Sequence, residues 1–297
     1  MSAVADVTRS VGVALVALAL VSCSSPEARG ERGEATFTCA DEPAEAAAVG
    51  SLPGSGSPEV GNVKLPEGTA VAPGVGAEGG AGAAPVVWIS DEPVTGTVRD
   101  ALVERFEETG LWPVWLEGLD GQAERPWDVG EFTGGDTASI DAIDAQRWLR
   151  QAAENTRFDE FPKPIPEAVT VVQGCDASSV EVSEVPINGR LGLIPVTRGA
   201  DAITAVGWLG PTNYVDDVAP YSSVLRSWED RFGAQVVSIG FATLTVVLTR
   251  PPSDLAAIEQ LANEIWIVCS DVVDQGLEPR ALAAELARNP VIECWWD

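Results

Sequence analysis

Histidine is missing from all 297 residues, and that absence excludes more than any motif reveals. Without imidazole there is no Ser-His-Asp or Cys-His catalysis, no zinc-protease helix and no histidine metal site. Any chemistry falls to carboxylates, Lys, Tyr, Cys, Ser or Thr. Basic residues are scarce too: 18 Lys and Arg stand against 45 Asp and Glu, a net charge of −27. Such a surface repels phosphate backbones, which argues against nucleic acid as a partner. The five cysteines include no close-spaced pair, so a zinc ribbon and a thioredoxin-like redox motif are unsupported. Neither the stretch from Asp136 to Asp141 nor that from Asp271 to Asp274 fits an EF-hand loop, and no cofactor is implied. The apolar run from Val11 to Leu20 is short, well below the roughly 20 residues that span a bilayer.

That run suits the h-region of a secretory signal, with one basic residue, Arg9, ahead of it. The tetrad Leu20-Val21-Ser22-Cys23 resembles the lipobox of bacterial lipoproteins, whose cysteine is diacylated and becomes the new N-terminus. The polar run Ser24-Ser25-Pro26-Glu27 after it fits the same pattern. The expectation is a signal peptide over residues 1–22, a lipid on Cys23, the bilayer as partner, and a domain facing the extracytoplasmic side of the cell membrane. The competing reading is a secreted protein cleaved elsewhere, with Cys23 incidental. Residues 23–84 are dominated by Gly, Ala, Pro, Ser and Glu, with Phe37 their one aromatic. They cannot bury enough apolar surface to offset their ordering entropy. They are predicted to be a disordered tether reaching roughly 40–45 Å root-mean-square. Thr36–Cys39 and Val63–Val71 are its least coil-like parts, candidates for a loose added strand.

Globular character begins at Pro85, with an N-terminal α/β part over residues 85–190 and a C-terminal α+β domain over residues 191–297. Val86-Val87-Trp88-Ile89 reads as a buried strand, followed by a helix carrying Val98, Leu102 and Phe106 and stopped at Gly110. Leu111–Leu116 returns to strand character, and Ile140–Ala153 reads as a helix. In the second half Tyr221, Val224, Leu225, Trp228 and Phe232 form one helical stripe ended by Gly233. Leu244, Val246 and Leu248 alternate with threonines, the pattern of a half-buried strand. Ser253 is the expected cap of a helix striped by Leu255, Ile258, Leu261 and Ile265. From Leu191 the order is β-α-β-β-α-β. The predicted fold is α+β: an antiparallel sheet covered by helices, with a ferredoxin-like split arrangement in the C-terminal half.

The block Leu225-Arg226-Ser227-Trp228-Glu229-Asp230-Arg231-Phe232-Gly233-Ala234 resembles the hallmark of domain of unknown function 4253 (DUF4253). Arg250-Pro251-Pro252, the run from Ala262 to Asp271 and the terminal Trp295-Trp296-Asp297 share the likeness. Upstream, the stretches Trp88–Pro93, Gly110–Pro113 and Arg125–Glu131 extend it to about Pro85. The resemblance implies no established activity. Where that family tends to carry Glu-His ahead of Phe-Cys-Pro-Asp, this chain has Glu264-Ile265 and then Val268-Cys269-Ser270-Asp271. A reactive His–Cys pair at that place is thereby broken.

Four cysteines remain after Cys23, enough for up to two disulfides in an oxidising exterior. Cys294 on the final strand and Cys269 at the end of the helix expected to cover it are the predicted first pair. Cys39 and Cys175 are the second by subtraction. Arg226, Glu229 and Asp230 lie off the apolar stripe, one turn apart. They form either a solvated ion-pair face or a binding face together with Glu264, Asp271 and Asp297. Of the ten tryptophans, Trp295 and Trp296 occupy one strand, so one ring faces inward and the other outward, open to a ligand groove. No catalytic or metal-binding set stands out. The expected function is a lipid-anchored domain that binds a protein or envelope ligand. The alternative is an envelope hydrolase working through a pair of carboxylates.

Overall fold

The computed structural model describes residues 36–39, 46–74, 83–119, 125, 127, 132–155, 169–172, 189–269, 271 and 279–296. Among the described residues eleven strands and seven α-helices follow in order. The strands are β1 (Thr36–Cys39), β2 (Glu59–Val60), β3 (Val63–Lys64), β4 (Gly68–Val71), β5 (Val87–Pro93) and β6 (Leu111–Leu116), then β7 (Val169–Val172), β8 (Arg190–Pro195), β9 (Ala234–Ile239), β10 (Thr243–Leu248) and β11 (Val291–Trp295). The helices are α1 (Gly96–Val103), α2 (Phe106–Thr109), α3 (Ala145–Asn155), α4 (Ala202–Val206), α5 (Ala219–Phe232), α6 (Leu255–Val268) and α7 (Pro279–Leu286). Seven strands make one sheet in the order β11-β10-β9-β6-β8-β5-β4, and every pairing but β6 with β9 is antiparallel.

The α+β class is as expected, and so is the β-α-β-β-α-β order from Arg190. The connectivity differs from a split βαβ. Strand β6 comes from the N-terminal half and lies between β8 and β9, antiparallel to the first and parallel to the second. Strands β9, β10 and β11 then form a meander. Leu111-Trp112-Pro113-Val114-Trp115-Leu116 is apolar on both faces and buried at every position, which suits an interior strand covered above and below rather than an edge. Residues from both halves therefore share one sheet.

Helices α3 to α7 cover one face, where Trp112, Val114, Ile194, Val236, Val246 and Ile292 meet Leu149, Val224, Trp228, Leu261 and Leu286. On the other face Trp88, Trp115, Leu193, Val237 and Val247 pack with Leu102 of α1 and with Val60 and Leu65. The tether expected over residues 23–84 is corrected here for residues 46–74. Strand β4 joins the sheet edge on β5. Gly56 pairs with Gly68, and Ala47 N–H donates to the Thr197 carbonyl at 2.8 Å. Main-chain hydrogen bonds and scattered apolar residues, Ala47, Val60 and Leu65 the buried ones, hold this belt, so apolar periodicity reveals little of it. Gly110, at φ +61°, ends α2 and lets the belt pass: a Cβ there would stand 1.9 Å from the Ala48 carbonyl oxygen. Strand β1 pairs in parallel with β7 in a sheet of two.

Three local details also depart from expectation. Asp254, not Ser253, caps α6, its carboxylate accepting from the Ala256 and Ala257 N–H groups. Leu255, counted in the α6 stripe, is 66% exposed. The helix expected over Ile140–Ala153 is a 3-10 turn, Thr137–Ala142, followed by α3. No helix of the described residues is long and apolar enough to cross a membrane.

Candidate functional site

Strands β6 and β9 pair only near their C-terminal ends, at Trp115 with Ser238 and Leu116 with Ile239. Below that level the sheet is split, and side chains satisfy what the ladder leaves open. The Val236 carbonyl accepts the Trp112 indole N–H at 2.9 Å and an Arg99 guanidinium N–H at 3.5 Å. A pocket of about 400 Å³ opens at the mouth of the split. Its walls include Val103 and Phe106 from the α1–α2 region, Trp112, Gln235, and the charged residues Arg198 and Glu229. Phe106 and Trp112 meet edge to face at 5.0 Å.

One wall is an arginine–carboxylate shelf. Arg198 lies in the bend after β8 and reaches across to α5. Its Nε donates to Glu229 Oε2 at 2.6 Å, its Nη2 to Asp230 Oδ1 at 2.5 Å, and the same nitrogen to the Arg226 carbonyl at 3.3 Å. Arg226 extends the shelf through a two-pronged grip on the fully buried Asp201, at 2.5 and 2.9 Å, and a 2.7 Å bond to Asp141. Arg250 donates to the Glu229 and Asp230 carbonyls at 3.3 and 3.2 Å, closing the C-terminal end of α5. Burial works against the charge of Arg226, but Asp201 and Asp141 outweigh it and hold the pKa above its ordinary range. Arg198 behaves alike, with Glu229 and Asp230 as the opposing charges. The Glu229 carboxyl is pushed up by burial, more than Arg198 pulls it down.

The expected binding-face residues do not converge. Arg226 and Glu229 share the shelf. Glu264 lies elsewhere, fully buried, accepting from Trp228 Nε1 at 2.8 Å and from both terminal nitrogens of Arg231, one of them at 3.0 Å. Asp271 is buried and accepts the Tyr214 hydroxyl. Trp296 is the inward ring, stacked on Tyr221 at 5.9 Å and edge-on to Trp208 at 5.3 Å, so it belongs to the core. Trp295 is half-buried on the edge strand. Asp297 lies outside the described residues.

The Cys269–Cys294 disulfide is present, with Cα atoms 5.3 Å apart, joining the end of α6 to β11. For the other predicted pair, the β1 backbone aligns Cys39 with Val172, and Cys175 lies outside the described residues. Cys23 lies outside them also. Among the described residues no group of three acidic or cysteine side chains is placed to hold a metal. Asp136 instead caps its own 3-10 turn through the Ala138 N–H. Arg99 and Arg198 were not singled out from sequence, and Arg250 stood out only within the Arg250-Pro251-Pro252 motif. Arg99 sits in an amphipathic helix and Arg198 in a bend, with no pattern marking either.

A seven-stranded α+β sheet, split between β6 and β9 and flanked by a half-buried ion-pair shelf, is the class of protein these features define. Within it residues 190–297 match the model of a domain of unknown function, DUF4253. The match begins at β8, so the likeness seen upstream to Pro85 lies beyond it, while the shelf residues from Arg198 to Arg250 lie inside. No curated protein and no solved structure matches the chain.

Proposed function

We propose that the chain is a lipid-anchored extracytoplasmic protein whose domain binds a ligand or a protein partner without transforming it. The observation that carries the binding reading is the state of the shelf: Glu229, Asp230 and Asp201 each face an arginine within 2.6 Å. Carboxylates so committed stabilise a rigid pocket wall and are poorly disposed to pass protons. The Leu20-Val21-Ser22-Cys23 tetrad supports the anchor. The buried Cys269–Cys294 bridge is of the kind that persists in oxidising compartments. The net charge of −27 speaks against nucleic acid.

Two measurements test this reading. Cys23→Ser is expected to release the protein from membranes, and the wild-type protein to carry a lipid mass; a variant still wholly in the membrane fraction and a wild type without lipid would refute the anchor. Thermal shift against cell-wall glycans and peptides is expected to return a ligand that raises the melting temperature.

The rival reading, an envelope hydrolase, draws on Glu229, which lines the pocket with its carboxyl above the usual range. Turnover of a glycan that is lost in Glu229→Gln would establish it.

A further inference from the structure

A second cavity lies apart from the shelf pocket, where the 3-10 turn Thr137–Ala142 approaches the end of α4. It measures about 340 Å³, at the low end of the roughly 300–1,000 Å³ of ligand pockets. It shares no lining residue with the shelf pocket. Main-chain bonds join two of its walls: Gly134 N–H donates to the Val206 carbonyl at 2.8 Å, and Thr133 N–H to the Gly207 carbonyl at 3.1 Å. Gly207, at φ +62°, permits that approach, since a Cβ there would stand 2.5 Å from the Thr133 hydroxyl oxygen.

Trp208, Leu209, Val215 and Val218 give the cavity an apolar lining. Leu209 to Val215 form a turn tied by its own main chain, with Val215 N–H donating to the Pro211 carbonyl at 3.0 Å. That turn carries two of the four large apolar or aromatic side chains left exposed among the described residues, Leu209 at 38% and Tyr214 at 44%. Asp136, Asp216 and Asp217, all exposed, supply charge, and no lysine or arginine lines the groove. Asp136 and Asp217 each accept one backbone N–H, from Ala138 and Ala219, at 2.9 Å. Among the described residues no cation pairs with any of the three. The shelf is the opposite case, its carboxylates each facing an arginine. Among the described residues no three acidic side chains are placed to hold a metal, so these charges suit separate cationic groups and not one ion.

We propose that this groove docks a short basic segment of a partner protein, in which lysine or arginine alternates with aliphatic side chains. Lysine and arginine lay their methylene stems on apolar surface and keep their charged heads in water. Leu209 and Val215 beside Asp216 and Asp217 offer both halves of that contact. Exposed apolar side chains gathered on one turn mark an interaction surface. The net charge of −27 attracts a basic segment from a distance and raises its rate of encounter. The cavity volume suits a few side chains of an extended segment. The groove is a second surface, and the reading of the shelf pocket does not depend on it.

Calorimetric titration of the full chain tests the assignment. The probes are acetylated, amidated hexapeptides alternating leucine with lysine, arginine or glutamine, with spermidine as a cation that lacks apolar side chains. The lysine and arginine peptides are expected to bind, and the glutamine peptide and spermidine to be at least tenfold weaker. Asp136→Asn, Asp216→Asn and Asp217→Asn together keep an oxygen for each backbone N–H, so the fold is retained, and binding is expected to fall at least tenfold. Glu92→Gln, Glu285→Gln and Glu293→Gln together remove the same charge from exposed positions outside the groove, and binding is expected to change less than threefold. Leu209→Ser is expected to weaken the lysine peptide at least threefold. Equal losses in the two triple variants reduce the effect to diffuse attraction and overturn the assignment. Spermidine as tight as the lysine peptide, or no binding by any peptide, overturns it also. A dimer in sedimentation that the groove variant dissolves gives the groove to a second copy instead. Each of these failures leaves the shelf pocket to its own screen.

Discussion

Glu264→Leu is the substitution whose consequence the structure states most sharply. Glu264 is fully buried, and it is the acceptor for Arg231, itself 3% exposed, and for the Trp228 indole N–H. Leucine fills the space and supplies no acceptor. Arg231 then keeps only the Ser227 carbonyl, at 3.2 Å from Nε, and a face-on contact with Phe232 at 4.8 Å. Breaking one partner of a buried pair costs about 3–5 kcal/mol, because the other charge is left uncompensated in a low-dielectric interior. Against a typical stability of roughly 5–15 kcal/mol this is about a fifth of the total or more. At about 2–4 °C per kcal/mol for a domain of this size, the melting temperature should fall by roughly 6–20 °C. Removing both charges, in Arg231→Met with Glu264→Leu, should recover at least about 2 kcal/mol of that loss. Equilibrium urea unfolding followed by tryptophan fluorescence measures both, with the slope checked for constancy. If Glu264→Leu costs less than about 1 kcal/mol, or if the double variant is no more stable than the single one, the buried-pair reasoning is wrong.

Three further outcomes are expected. The Tyr221 phenol lies well above its ordinary range because of burial, so the stability tied to keeping it neutral is intact below about pH 10 and is lost as pH rises further. Of the two tyrosines, no more than one should therefore show tyrosinate absorbance at about pH 11 while the circular dichroism is native, and Tyr214→Phe should show none. Replacing Cys269 and Cys294 by alanine opens a loop with a sequence separation of 25, which should cost about 3–4 kcal/mol in urea unfolding. Gly110→Ala forces a side chain against the Ala48 carbonyl at a left-handed backbone position, and a loss of at least about 1 kcal/mol is expected.

Periodic segments were readable and sparsely apolar ones were not. The stripe of α5, from Tyr221 to Phe232, is buried as drawn. Strand β10 covers the alternating run from Leu244 to Leu248. In those stretches burial of one face is the dominant energy, and burial is what periodicity records. The belt of residues 46–74 leaves little such record: Val63–Val71, expected as a loose strand, does supply β3 and β4, but contacts such as Gly50 N–H to the Gly110 carbonyl depend on main-chain groups common to every residue. The site was half legible. Arg226 and Glu229 stood out as charges off an apolar stripe, but their partners Arg198 and Asp201 come from a bend whose approach to α5 is a tertiary fact. Arg99 was hidden for a simpler reason: a charge in a short amphipathic helix reads as its solvated face until the sheet behind it is found to be split.

The place of β6 between β8 and β9 also governs when this chain can become a protein at all. A growing or translocating chain presents Leu111–Leu116 long before Arg190 and Ala234 have appeared, and both neighbours must arrive before the strand is paired. Until then a six-residue, wholly apolar segment has nowhere to go, the state in which chaperones and wrong partners compete for it. Cutting the chain at Arg190 would leave β8 without either of its neighbours, so residues 190–297 do not constitute an autonomous folding unit here. Under the export proposed above, that late closure would be useful: it would keep the sheet open until the last strands had passed.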